Sequence, residues 1–264
     1  MKIIGLQLDT VWENKAANHS KALALLDQAG PPPGSLVVLA EMFATGFSMN
    51  VAAIHDGQSN GDSESHQTQD FLSHTAAARG IYLLGGVVAK DKSGRGRNEA
   101  VVYAPDGSEL ARYSKLHPFA LGGEAEHYVA GNELCLFRWQ EFTVASFICY
   151  DLRFPEIFRS AAKLGANLFT VIASWPSPRA DHWFSLLKAR AIENQAYVIG
   201  VNRCGNDPKL PHSGHSVIFD PSGKLLADAG SEEGWIAAEA DYELLLDYRR
   251  GLPFLADLRD DFVS

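Results

Sequence analysis

Six short, almost wholly apolar runs constrain the fold most: residues 3–8, 36–40, 81–89, 142–148, 168–173 and 196–201. Runs of this length bounded by turn residues read as buried strands. Between them stand helical patterns at residues 18–29, 68–79, 157–164 and 182–195, the first with Ala22, Leu25, Leu26 and Ala29 on one face. Strand, helix and strand in succession imply β-α-β units. Elsewhere the strands are joined by tight turns. Residues 91–97 lead into a strand at 99–104, Pro105-Asp106-Gly107-Ser108 feeds 109–113, and Pro221-Ser222-Gly223 joins 216–220 to 224–228. A last strand is expected at 235–240. Hairpins exclude a purely parallel sheet, so a layered α/β fold is expected.

A chain of 264 residues with 46% hydrophobic content can bury a sizeable core. Nothing in it reads as a linker, so one domain over residues 1–264 is expected. Pro31-Pro32-Pro33-Gly34 reads as a helix-to-strand connection and residues 57–69 as a surface loop. The stretch 242–264 has little core of its own and is expected to pack on a partner subunit. A net charge of −9 argues against a nucleic-acid groove or an anionic membrane as partner, since both need clustered Lys and Arg. The N-terminal apolar run is interrupted at Asp9, too soon for a signal peptide, and no run is long enough to cross a bilayer, so a cytoplasmic protein is expected. Three scattered cysteines fit no disulfide framework, and no Cys/His pair has zinc-ligand spacing. Cys135 and Cys204 read as packing residues, and neither metal nor cofactor is expected.

Cys149 ends the apolar run 142–148 and opens the polar turn Tyr150-Asp151-Leu152-Arg153-Phe154-Pro155-Glu156. A buried free cysteine is the commoner use of such a residue, but a strand end also holds a nucleophile rigidly beside backbone N–H groups. Glu41 stands in the same way directly after residues 36–40, and Lys115 follows the strand 109–113. Alone, the first reads as a solvated cap and the second as surface charge. Together, a carboxylate, an ammonium and a thiol at strand ends supply base, electrophile and nucleophile. Other motifs are weaker. The G-x-S-x-G match at residues 57–61 lacks the flanking strand and helix of a nucleophile elbow. His117 and His182 could pair with a cysteine, but the residues around Cys149 do not form a papain-like signature. Trp183, Leu186, Leu187 and Ala191 recur at helical spacing, as core packing does.

The segments Leu39-Ala40-Glu41-Met42-Phe43, Tyr113-Ser114-Lys115-Leu116-His117 and Cys149 to Glu156, in this order, resemble the nitrilase superfamily of carbon–nitrogen hydrolases. The likeness continues through Ala173-Ser174-Trp175-Pro176 and residues 188–198 to Tyr248-Arg249, covering almost the whole chain. The resemblance implies a four-layer α-β-β-α sandwich whose subunits pair as homodimers or higher homo-oligomers. It also implies a Glu-Lys-Cys triad, with Glu41 as general base, Lys115 as the cation of the oxyanion site and Cys149 as nucleophile. A second glutamate is implied after the lysine loop. Glu124 fits it, and Glu126 lies only two residues away. The chemistry is coherent, because a free thiol has a pKa of about 8.5 and needs a base or cation to ionise near neutrality. Glu41 can take the proton, pass it to departing ammonia and later activate water against a thioester. Lys115 and the Tyr150 backbone N–H can hold the oxyanion.

Within the superfamily, the residues after Cys149 resemble the amidase branches, and Trp175-Pro176, Asn194-Gln195 and the Tyr-Arg tail resemble bacterial omega-amidases, which hydrolyse the terminal amide of 2-oxo acids such as 2-oxoglutaramate. Ser174 departs from the Asn expected there. A free carboxylate on such a small-molecule substrate needs a cation. Arg153 can offer it a planar fork, or can pair with Glu156 or Asp151 and brace the turn. Arg179 is the second candidate, and Trp175 can wall the pocket. Alternatives are hydrolysis of deaminated glutathione, of another small amide or of N-carbamoyl compounds, and a catalytically silent binding protein on the same fold.

Overall fold

All six apolar runs become strands, and the strands collect into two sheets of six and one small hairpin. The computed structural model describes residues 1–56 and 67–259, so the G-x-S-x-G match lies outside the described residues. The chain begins β1 (Lys2–Gln7), α1 (Lys15–Ala29), β2 (Leu36–Leu39), α2 (Val51–Ile54), α3 (Gln67–Arg79), β3 (Tyr82–Lys90), β4 (Gly96–Tyr103) and β5 (Glu109–Ser114). It continues with α4 (Glu124–His127), β6 (Leu136–Trp139), β7 (Phe142–Ile148), α5 (Pro155–Lys163), β8 (Leu168–Ala173), α6 (Ala180–Asn194) and β9 (Tyr197–Asn202). The hairpin β10 (Cys204–Asn206) and β11 (Pro211–Ser213) precedes β12 (Val217–Phe219), β13 (Leu225–Asp228), β14 (Gly234–Glu239) and α7 (Tyr242–Gly251).

The first sheet has the order β14-β1-β2-β3-β4-β5 and the second β13-β12-β9-β8-β7-β6. In each, three central strands are parallel (β1, β2 and β3; β7, β8 and β9), and antiparallel strands extend the sheet outward. The sheets pack face to face, with β1 against β9, β2 against β8 and β4 against β7. Helices α1 and α3 cover the outside of the first sheet. On the second, α6 lies over β9 and β12, and α5 sets Phe158 against Phe147 and Phe169. This is the four-layer α-β-β-α sandwich. Its double cover explains why β2, β8 and β9 are buried at every residue and read as continuous apolar runs.

Differences from the sequence expectation are local. Helix α1 starts at Lys15 because the Asn14 side chain caps it, accepting from the Ala17 N–H. Strand β6 has only Phe137 and Trp139 as inward residues, too short an alternation to stand out. The tail is partly anchored on its own chain. Asp241 caps α7, Leu245 is buried, and the Arg249 guanidinium donates to the Asn194 and Gln195 carbonyls. Leu244, Leu252 and Phe254 remain exposed.

Candidate active site

The C-terminal ends of three parallel strands converge at the sandwich edge. Strand β2 delivers Glu41, β7 delivers Cys149 and β8 delivers Ser174, while the segment after β5 supplies Lys115 and the first turn of α4 supplies Glu124. Ends of parallel strands are where open α/β sheets place their sites. Gly86 on β3 makes room for Glu41. A Cβ there would lie 2.4 Å from the Met42 nitrogen and 2.7 Å from both the Ala40 oxygen and the Glu41 Cα. Two turn residues adopt the left-handed region, Met42 at φ 45° and Cys149 at φ 47°. For a residue with a Cβ this costs about 1–2 kcal/mol, and it turns the chain sharply as each strand ends.

Behind Cys149 lies a buried charge network. Lys115 Nζ donates to Glu41 Oε1 at 2.9 Å and Glu124 Oε2 at 2.8 Å, and Lys115 is only 1% exposed. Two of the ammonium's three N–H bonds are thereby used, leaving the third for another acceptor. Glu41 Oε2 accepts the Ser174 backbone N–H at 2.8 Å, and Glu124 Oε2 also accepts the Phe119 backbone N–H at 2.6 Å. The side-chain amide of Asn98 donates to both carboxylates. Of the two sequence candidates for a second glutamate, only Glu124 joins this network. Glu126 is exposed on the far side of the same helical turn.

Burial pushes the Cys149 thiol well above its ordinary range and Glu41 adds to this, while Lys115 and the Ser174 amide act in the opposite sense. The resting sulfur therefore keeps its proton near neutrality. For Lys115, burial opposes the charge, but Glu41, then Glu124 and Cys149, more than offset it and hold the ammonium well above the usual lysine value. The site thus places a neutral thiol beside a carboxylate that can receive its proton and a cation that persists in the dry interior.

Asp151, two residues after Cys149, ties the cysteine turn to the lysine loop. Its carboxylate accepts from Tyr113 Oη at 2.7 Å, the Ile148 N–H at 3.1 Å and the His117 N–H at 3.0 Å. His117 Nδ1 lies 2.9 Å from the same carboxylate, and its ring stacks on Phe154. His117 orients a loop. Burial followed by the Asp151 charge raises the Tyr113 phenol well above its ordinary value, so it remains a donor.

Cys149 opens onto a cavity of about 340 Å³, walled by Tyr150, Arg153, Trp175 and Arg179. Arg153 does not brace the turn through Asp151 or Glu156. Its guanidinium lies 4.7 Å over the Trp175 ring and 3.4 Å from His182 Nδ1, and among the described residues it has no carboxylate partner. Arg179 sits 5.6 Å over the Phe119 ring at the same wall. Trp175 is fixed by its ring N–H to the Arg179 carbonyl and its backbone N–H to Asn202 Oδ1. The β10–β11 hairpin adds Asp207, Lys209 and His212 to the lining. His212 packs 3.4 Å from Ser174 Oγ, and burial, with Arg203 adding to it, lowers its pKa to about 4.

The sequence reading missed Asn98, the Ser174 and Phe119 backbone donors and the hairpin. Asn98 was detectable only as a polar residue at the mouth of an apolar strand, and backbone donors have no sequence signal. Cys135 and Cys204 lie away from the cavity, Cys204 buried and pushed up to about 12 by desolvation first and Asp9 second.

The face-to-face pair of mixed sheets is the fold of a class of hydrolases, and sequence comparison places the chain in it. The family profile described as carbon-nitrogen hydrolase matches residues 4–250, and the chain belongs to that family. It is a hydrolase acting on carbon–nitrogen bonds of linear amides. Among its relatives, the 2-oxoglutaramate amidase of Bacillus subtilis is 35% identical, with 97% of this chain and 96% of that protein covered. Omega-amidase YafV of Yersinia enterocolitica is 38% identical over the same shares, 97% and 96%. Among solved structures, XC1258 of Xanthomonas campestris, a CN-hydrolase superfamily protein with an arsenic adduct in its active site, superposes with a TM-score of 0.89 at 30% identity. The match covers 98% of this chain and 97% of that one. Nit3 of Saccharomyces cerevisiae, from branch 10 of the nitrilase superfamily, gives 0.85 at 28% identity, covering 96% and 94%. Among the described residues, no helix is long and apolar enough to cross a membrane.

Proposed function

We propose that the chain hydrolyses the terminal amide of a small 2-oxo acid, 2-oxoglutaramate or 2-oxosuccinamate, through a thioester on Cys149. The observation that supports this best is the pairing of the buried Glu41-Lys115-Glu124 cluster with a cavity wall bearing two arginines that lack carboxylate partners among the described residues. One relative named above, from Bacillus subtilis, is a 2-oxoglutaramate amidase.

In this reading Glu41 takes the Cys149 proton as sulfur attacks the amide carbon. The carbonyl oxygen becomes an oxyanion held by the free N–H of Lys115 and the Tyr150 backbone N–H. Collapse breaks the C–N bond, Glu41 returns the proton to nitrogen, and ammonia leaves. Water, deprotonated by Glu41, then attacks the thioester, releasing the carboxylate and the thiol. Glu124 shares the Lys115 charge and fixes the lysine between two anions. Arg153 receives the substrate's free carboxylate with Arg179 as the second cation, and Trp175 walls the cavity beside the chain.

The whole chain works as one carbon-nitrogen hydrolase domain in the cytoplasm. Leu252 and Phe254 are exposed, and we infer that a second copy covers them in a homodimer. Ammonia release should be measured across 2-oxoglutaramate, 2-oxosuccinamate, deaminated glutathione, N-carbamoyl amines and simple nitriles. The highest kcat/KM on a 2-oxo acid amide is expected. A clear preference for deaminated glutathione or an N-carbamoyl amine would replace this substrate assignment.

A further inference from the structure

We propose that Asn98 is a positioning residue for amide hydrolysis, holding Glu41 and Glu124 in fixed orientation around Lys115. This rests on the reading of Glu41 as the base. Asn98 stands on β4 and is buried. Its Nδ2 donates to Glu41 Oε1 at 2.7 Å and to Glu124 Oε1 at 2.8 Å. Lys115 Nζ spans the same two carboxylates, so the four side chains close a ring. The Asn98 backbone carbonyl also accepts the Lys115 backbone N–H at 2.9 Å. One residue therefore touches all three charged members.

The residue type follows from the charges. Two carboxylates facing one ammonium leave one uncompensated negative charge in a dry site, and like charges push apart or take up a proton. A primary amide has two N–H bonds, one for each carboxylate, and adds no charge. A hydroxyl has one donor, and another cation would compete with Lys115. Both neighbours only accept, so the amide nitrogen must face them, and Asn98 Oδ1 is left buried without a partner among the described residues. An orphaned acceptor is an unfavourable use of a strand position, where a β-branched residue would suit the ladder better. The arrangement serves the carboxylates. The other titratable groups against this ring are Cys149 at the end of β7 and Tyr128 after α4, whose hydroxyl donates to the Ser48 carbonyl.

The test uses the full chain with Asn98→Ala and Asn98→Ser, assayed for kcat, KM and pH profile on the best amide, and by infrared spectroscopy of the carboxyl C=O stretch without substrate. In Asn98→Ala, kcat should fall at least roughly tenfold near neutral pH with KM little changed, as for an interaction felt in the transition state. The acid limb of kcat/KM should move up by about one pH unit or more. A protonated-carboxyl band absent from the wild type should appear near neutral pH and vanish when Glu124→Gln is added. Asn98→Ser, with one donor, should fall between, and it decides the matter if the alanine variant does not fold. A pH-independent loss with no carboxyl band, or an unchanged kcat, would overturn the proposal. The infrared arm needs no substrate, so failure of every amide in the assay would count against the proposed function while this test still stood.

Discussion

Replacing Lys115 by Met probes the centre of the site, because an unbranched apolar side chain only one atom shorter removes the charge and the donors. The ammonium is 1% exposed and lies 2.9 and 2.8 Å from two carboxylates. Without it, both carboxylates stay buried with Asn98 and backbone N–H groups as their remaining donors. Removing one partner from a buried ion pair costs about 3–5 kcal/mol. Each kcal/mol lowers Tm by roughly 2–4 °C in a chain somewhat under this length, so a fall of about 10 °C is expected. Turnover should fall further than folding can explain, since losing one oxyanion donor costs about 100-fold to 1,000-fold in kcat. Calorimetry gives the first quantity. Steady-state ammonia release, at a temperature where wild type and variant are both folded, gives the second. A variant with unchanged Tm, or one altered only in KM, would refute the assignment of Lys115 to a buried, charged, transition-state role.

Arg153→Met should reduce kcat/KM for 2-oxoglutaramate by about 30-fold or more, the equivalent of losing a desolvated charge partner worth at least about 2 kcal/mol, while sparing any neutral amide that is turned over. An equal loss on both kinds of amide would move the carboxylate site to Arg179. Gly86→Ala places a methyl against backbone atoms that cannot rotate away, so it should cost about 1–3 kcal/mol in a denaturant titration. It should also depress kcat by displacing Glu41, and full activity would show that Glu41 tolerates the shift. His19, stacked on Phe71 at 4.3 Å, has a pKa lowered from 6.5 to about 4, chiefly by burial. The unfolded chain then binds the extra proton first, so stability present above pH 6.5 should be lost as pH falls toward 4. His19→Phe should flatten that acid side, and an unchanged slope would show that other groups set it.

The legible parts of the fold were those with redundant signals. Strand β2 reads correctly because Leu36, Val37, Val38 and Leu39 are all apolar and lead straight to Glu41, so one pattern marks both the strand and the residue it presents. Cys149 is marked in the same way by β7. Lys115 and Glu124 belong to loops and a single helical turn, where no periodicity constrains position, and the buried network rather than the sequence separates Glu124 from Glu126. Asn98 was hidden because its meaning lies in two carboxylates 57 and 26 residues away along the chain. Arg153 shows the reverse limit. Its neighbours Asp151 and Glu156 suggested a local ion pair, but Asp151 is already engaged by Tyr113, Ile148 and His117. The guanidinium is consequently left at the cavity wall. Tertiary competition for partners, absent from the local sequence, decided the outcome.

The central claim, covalent catalysis by Cys149, is tested most directly by intact-protein and peptide mass spectrometry of enzyme acid-quenched during turnover of 2-oxoglutaramate. The wild type, or Glu41→Gln where deacylation is slowed, should carry an acyl mass on the peptide containing Cys149, with ammonia released in step. Cys149→Ala should be folded, unlabelled and inactive. Ammonia release by folded Cys149→Ala, or turnover with the acyl group on another residue, would contradict the account.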